Sequence, residues 1–280
     1  MVYLIFIIAC IIVFSAIFCH FNITVSKYNI NNKKIKRQGL KIVQLSDVHG
    51  RECGKDSYKI IKKIDKLNPG IIVITGDLLD KGKRKIQRML EFVRILASKY
   101  KCVYVIGNHE LYLDKETLDL CLNKMIEYGV VMLNNSYTDL ENNIRIYGIG
   151  YNLVTSKTKE YTYNRKAVIN HGEIEEKIGK LDNTKYNVLL AHSPFSFDAY
   201  SKCGFDLILT GHVHGGIIRI PGMFGLLSPE GKFFPKYFEG MYNKEETNMI
   251  VNRGIGYSCI PVRIFNSPEI GYINVENTSK

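Results

Sequence analysis

The stretch Lys41-Ile42-Val43-Gln44-Leu45-Ser46-Asp47-Val48-His49 sets the pattern for the chain. Residues 41–45 read as a short buried strand, and the strand runs straight into an aspartate and a histidine. Ile71-Ile72-Val73-Ile74-Thr75-Gly76-Asp77 repeats the arrangement, with residues 71–74 as strand. A third strand, 102–106, runs into Gly107-Asn108-His109-Glu110. Apolar periodicity predicts helices over 57–67, 84–99 and 115–128, the first ending near Asn68-Pro69-Gly70. A β-α-β-α order implies an α/β sheet with helices on its faces.

The second half is richer in strands, at 144–149, 187–190, 207–209, 217–220, 248–251 and 270–275, with one helix around 173–181. Two β-rich halves, each covered by helices, predict a four-layer α-β-β-α sandwich of two mixed sheets. There is no fixed-period repeat and no low-complexity tract. Asp47, Asp77, Asn108, His192 and His212 all follow predicted strands. Ligands of open α/β sheets collect at the carboxyl ends of strands, so these groups can converge on one crevice.

Five of the seven histidines, His49, His109, His192, His212 and His214, lie in these strand-exit blocks. Carboxylate, carboxamide and imidazole together suit Mn²⁺, Fe²⁺ or Zn²⁺, and there are enough donors for two ions. In extended backbone, residues i and i+2 share a side, which lets Asp47 and His49 share one metal. His212 and His214 are about 7 Å apart by strand rise. That spacing suits one ligand to each of two ions held about 3.5–4 Å apart. Gly76, Gly107 and Gly211 precede proposed ligands, where a missing Cβ permits a sharp turn. His20, at the end of an apolar run, reads as interfacial, and His171 as exposed in a polar loop. Asp80 and Asp114 read as helix caps or surface groups.

Residues 1–26 hold no Asp, Glu, Lys or Arg. About 20 apolar residues in a helix cross a hydrocarbon core. The segment lacks the basic start and small-residue cleavage site of a secretory signal. It therefore reads as a single-pass transmembrane anchor over 1–24, followed by a basic juxtamembrane tether, 25–40, and a catalytic domain, 41–280. Lys27, Lys33, Lys34, Lys36, Arg37 and Lys41, unbroken by acid, place the domain on the cytoplasmic side of the cell membrane. An extracytoplasmic placement stays open. The same residues would attract anionic lipids by about 1 kcal/mol each near the surface. The net charge of +11 lies wholly outside the anchor and fits a phosphate-rich partner or an anionic membrane. Cys10, Cys19, Cys53, Cys102, Cys121, Cys203 and Cys259 are odd in number and scattered, which argues against a disulfide framework.

In order, D-x-H at Asp47, G-D at Asp77, G-N-H-E at Asn108, His192 and G-H-x-H at His212 resemble the calcineurin-like metallophosphoesterases. The resemblance spans about 41–275. The anchor and the closing Arg253-Gly254-Ile255-Gly256, Pro261-Val262-Arg263 and Pro268-Glu269 resemble its membrane-anchored bacterial branch. Relatives there include UDP-2,3-diacylglucosamine pyrophosphatases and phospholipid-headgroup phosphodiesterases. The resemblance implies two divalent metal ions (Mn²⁺, Zn²⁺ or Fe²⁺). One would be held by Asp47, His49, Asp77 and His214, the other by Asp77, Asn108, His192 and His212. It further implies hydrolysis of a phosphodiester or pyrophosphate by hydroxide held between the ions, with His109 protonating the leaving oxygen. Glu110 stands where many relatives carry aspartate, at a position that need not be a ligand.

The substrate is the open part of this reading. The apolar stretches 220–227 and 233–238 follow the last metal motif. They read either as a greasy rim that admits an acyl chain or dips into the bilayer, or as a hairpin packing its own core. Beside an anchor, a lipid-linked phosphoester is the favoured substrate. A phosphatase or nuclease on soluble or cell-wall phosphoesters is the alternative, as is a metal-binding scaffold without turnover. No aromatic stacking motif points to nucleic acid.

Overall fold

Alternate residues of a strand face opposite ways, and in this chain both faces are apolar. The computed structural model describes residues 1–36, 39–50, 55–151, 169–220, 222–229, 231–257 and 260–277. One six-stranded sheet runs β1 (Thr24–Asn31), β14 (Glu269–Glu276), β2 (Leu40–Leu45), β3 (Ile71–Thr75), β4 (Cys102–Val105), β5 (Val131–Met132). The other runs β12 (Gly240–Lys244), β13 (Thr247–Val251), β9 (Leu207–Thr210), β8 (Tyr186–Ala191), β7 (Ile144–Ile149), β6 (Ser136–Leu140).

Both sheets are mixed, as expected. β2 to β5 are parallel, β14 is antiparallel to β2, and β1 is parallel to β14. In the second sheet β13, β9, β8 and β7 are parallel, and the edge strands β12 and β6 run against them. Ile71, Val73, Val188 and Leu190 fill the space between the sheets. Ile72 and Ile74 face the other way, onto α2 (Lys55–Leu67), α3 (Lys83–Ala97) and α4 (Lys115–Glu127), through Ile64, Phe92 and Met125. Leu189 and Ala191 face α5 (His171–Ile178) and α6 (Phe197–Cys203), through Ile174 and Tyr200. Each fully buried aliphatic side chain of this kind contributes about 1.5–3 kcal/mol.

α1 (Val2–Phe21) is a single helix long and apolar enough to cross a membrane. The segment after it differs from a solvated tether. Thr24 pairs with Glu269 and Asn31 with Glu276, so much of 25–40 is strand; residues 37 and 38 of that expected tether lie outside the described residues. The expected strand at 217–220 shrinks to β10 (Arg219–Ile220), paired with β11 (Phe224–Gly225), because Ile217 takes φ 53°. His171 opens α5 behind a capping box of Asn170 and Glu173, instead of lying in a loop. Asp114 caps α4 as expected, accepting the Thr117 N–H. Cys10, Cys19, Cys102, Cys121 and Cys203 are free thiols, while Cys53 and Cys259 lie outside the described residues.

Candidate metal centre

Asp47, Asp77, Asn108, His192 and His212 leave β2, β3, β4, β8 and β9 at neighbouring carboxyl ends. The chain turns abruptly there. Asp47, His49, Asp77, His212 and His214 all have φ between 48° and 72°. A side chain in the left-handed region costs about 1–3 kcal/mol and persists only where its surroundings enforce it. Here the loops are stapled together. Asp47 N–H donates to Gly76 O and His49 N–H to Asp77 O, each at 3.0 Å. Gly76 has φ 88°, and a Cβ there would stand 2.6 Å from His192 Nδ1.

Glu110 ties two of these loops. Its fully buried carboxylate accepts the N–H groups of Asp77 (3.0 Å), Gly107 (2.9 Å) and Leu79 (2.8 Å). Burial and the Asp77 charge push its pKa up. It braces these loops, a role that needs no metal contact.

The structure brings all seven predicted ligands together. His49 Nε2 is 3.1 Å from His214 Nε2, and His214 Nε2 is 3.4 Å from Asp47 Oδ1. On the other side, His192 Nε2 is 3.0 Å from Asn108 Oδ1, 3.1 Å from His212 Nδ1 and 3.3 Å from Asp77 Oδ2. Asp77 Oδ2 also lies 3.7 Å from His49 Nε2, so this one oxygen faces both groups. The ligand atoms of Asp47, His49 and His214 lie within 4.8 Å of one another, as do those of Asp77, His192 and His212.

Neighbouring groups aim these atoms. His192 Nδ1–H donates to Thr75 O at 2.7 Å, which aims Nε2 at the centre. His109 N–H donates to Asp77 Oδ1 at 2.7 Å, leaving Oδ2 for the space between the imidazoles. Asp47 accepts the His212 N–H and the Ser46 hydroxyl.

The electrostatics call for cations. Burial alone would depress the His192 pKa, yet the Asp77 charge outweighs it and raises it to about 10. Burial lowers His49 to about 4, against the pull of Asp77. His214 also stays well below the ordinary imidazole range, through burial and the charges of His49 and Arg263. Two buried carboxylates thus face imidazoles of which His49 and His214 resist protonation. A proton on His192 answers only part of that charge, whereas divalent ions accept every lone pair at once. The donor set fits two such ions.

His109 stands at the rim, its side chain one-third exposed. Its Nδ1 is 3.6 Å from Asp80 Oδ1, an ion-pair distance. Burial would lower its pKa, but Asp80, Asp77 and Glu110 raise it. Asp80 is therefore no helix cap. The sequence signal was its place three residues after Asp77, which returns it to the metal side of the loop. Arg263 and Asn266 also escaped the sequence reading as site residues. Arg263 Nη2 lies 3.3 Å from His214 Nδ1, and Asn266 Nδ2 donates to His214 O at 2.7 Å. Their segment held apolar and turn residues with no ligand pattern, so only the Arg253-to-Glu269 resemblance drew attention to it.

Two packed sheets thus gather seven nitrogen and oxygen donors into two adjoining candidate clusters for metal ions. A family model for calcineurin-like phosphoesterases matches residues 40–216, and the chain belongs to that family. An uncharacterised metallophosphoesterase of Campylobacter jejuni is 30% identical over 251 residues, 86% of this chain and 60% of that one. A zebrafish (Danio rerio) transmembrane protein with a metallophosphoesterase domain is 28% identical, over 83% of this chain and 52% of its own. The chain therefore spans little more than half the length of these two relatives. A crystal structure of TT1561 from Thermus thermophilus superposes with a TM-score of 0.52 at 13% identity, over 78% of this chain and 90% of that one.

Proposed function

We propose that this chain is a membrane-anchored, metal-dependent phosphoesterase that hydrolyses a phosphodiester or pyrophosphate of a lipid-linked substrate. The observation that carries the hydrolase reading is Asp77 Oδ2, which faces His49 and His192 together. Asp47, His49, Asp77 and His214 would hold one ion, and Asp77, Asn108, His192 and His212 the other. When bound, such ions lower the pKa of water and neutralise phosphoryl oxygens.

The chain's own residues supply the rest. Asp77 and Asp47 balance the cationic charge, and the Thr75 carbonyl fixes the His192 tautomer. His109 keeps a proton at the rim, held there by Asp80, and delivers it to the leaving oxygen. A scaffold without turnover would have no use for that pair. The lipid preference rests on α1; the Campylobacter and zebrafish likenesses support the family alone. The basic run at 27–41 favours a cytoplasmic domain.

The test is purified full-length protein in nanodiscs, loaded with Mn²⁺ or Zn²⁺. It is assayed on lipid phosphodiesters, lipid pyrophosphates and soluble diesters, with Asp77→Ala as control. Faster turnover of lipid substrates, lost in Asp77→Ala, is expected. Equal rates on soluble and lipid diesters would overturn the lipid preference, and no turnover with any ion would overturn the hydrolase itself.

A further inference from the structure

α1 has two unlike halves. Residues 2–14 are exposed, whereas Ser15 and Cys19 are buried against the domain. The Phe265 N–H donates to Ser15 Oγ at 2.7 Å and the Asn266 N–H to Cys19 Sγ at 3.3 Å. His20 Nδ1 meets the Tyr257 hydroxyl. The free part, at 1.5 Å per residue, reaches about 20 Å, while a hydrocarbon core is about 30 Å thick. A spanning α1 therefore draws about 10 Å of its reach from turns already clamped to the domain. The domain surface around Phe265 and Tyr257 is then carried to the edge of the hydrocarbon.

That surface is apolar. Ile260 and Val262 are 40% and 39% exposed, Met223 and Phe233 67%, and Phe234 57%. Contiguous exposure of this kind marks an interaction face. It is also continuous with α1. Ile264, next to Phe265, accepts the Arg219 N–H at 3.0 Å. β10 pairs with β11, and Phe234 N–H donates to Leu226 O at 3.1 Å just beyond it. The Phe234 and Phe224 rings meet edge to face at 4.7 Å. A mainly apolar crevice of about 260 Å³ lies between Ala16, Ile17 and Phe21 of α1 and Tyr257, Pro261 and Val262 of the domain, with His20 and Arg263 as its polar lining. Lys232 and Lys236 flank the aromatic loop, where anionic headgroups would meet them.

We propose that Met223, Phe233, Phe234, Ile260 and Val262 form a second bilayer-contacting surface, seated at the headgroup–acyl boundary beside α1. This rests on the anchor reading above and adds to it. The domain is then laid on the membrane in one orientation, with the loop that follows His214 facing lipid, instead of swinging on a leash. Of the two readings of 220–238, Phe224 packs inward against Phe234 while Phe233 is left outward, so the hairpin has a small core and a greasy rim together.

The chain has no tryptophan, so a single introduced one reports alone. Full-length Phe233→Trp, Met223→Trp, Phe14→Trp and Leu120→Trp are reconstituted into vesicles of phosphatidylcholine and phosphatidylglycerol with brominated acyl chains. Leu120 is an exposed residue of α4, beside β5 at the far sheet edge from β1. Emission from positions 233 and 223 should fall by half or more, as at position 14, while position 120 is unaffected. Quenching at 14 with none at 233 and 223 would overturn the surface and leave the anchor standing. No quenching at 14 would remove the anchor and this proposal with it. Equal quenching at 120 and 233 would also overturn it, since contact would then have no preferred face.

Discussion

His109 and Asp80 form an ion pair at the mouth of the metal centre, Nδ1 to Oδ1 at 3.6 Å. Asp80 is itself held well below the usual carboxylate range; burial opposes this, but His109 and Lys85 prevail. The pair raises the His109 pKa and so favours its protonated form, which is what a group delivering a proton to an alkoxide needs.

His109→Ala should lower kcat about 10²- to 10⁴-fold on a diester with an alkyl leaving group. It should cost much less on bis-p-nitrophenyl phosphate, whose leaving group needs no proton. Steady-state kinetics on the two substrates check this; equal losses on both would assign His109 another role.

Asp80→Asn should move the alkaline limb of the kcat profile to lower pH. Asp80 raises the His109 pKa, so the protonated form survives to higher pH in the native enzyme and is lost sooner without it. A pH series on the alkyl diester reads the shift directly. An unmoved limb would mean another group titrates there.

Metal uptake near pH 7 should release protons. His192 holds its proton up to about pH 10 before an ion binds, and must lose it to become a ligand. Apparent affinity should rise up to about tenfold per pH unit below that value. Calorimetry in two buffers of unlike ionisation enthalpy counts the protons, and a buffer-independent heat would refute the expectation.

Glu110→Gln should destabilise the metal-free protein by about 1–3 kcal/mol, because one amide oxygen replaces a carboxylate that accepts three N–H groups. Metal affinity should fall about 10- to 100-fold, as for other groups that orient ligands. Urea unfolding in chelator, with metal titration alongside, separates the two effects.

The inner strands were legible because β2, β3, β4 and β8 are short apolar runs bounded by polar residues, and the ligands stand at their exits. β1 was not. Lys27, Asn29 and Asn31 line its exposed face within a basic, polar run that reads as a tether, and its partner begins at Glu269, far along the chain. Half-exposed β6 and β12 carry the same weak signal. At the centre, the candidate ligands were named through motifs that resemble the family's. The roles of Asp80, Glu110, Arg263 and Asn266 depend instead on which loops meet, and meeting is a property of the assembled sheets.

The register of β14 carries one more consequence. It lies between β1 and β2, so the sheet that begins two residues after α1 can close only when residues 269–276 have emerged from the ribosome. Until then β1 waits behind α1 with its hydrogen-bonding edge open, while the core strands can already assemble. The candidate metal centre, whose Arg253 to Asn266 buttress lies just ahead of that closing strand, is thereby completed late, after the strands that carry its donors.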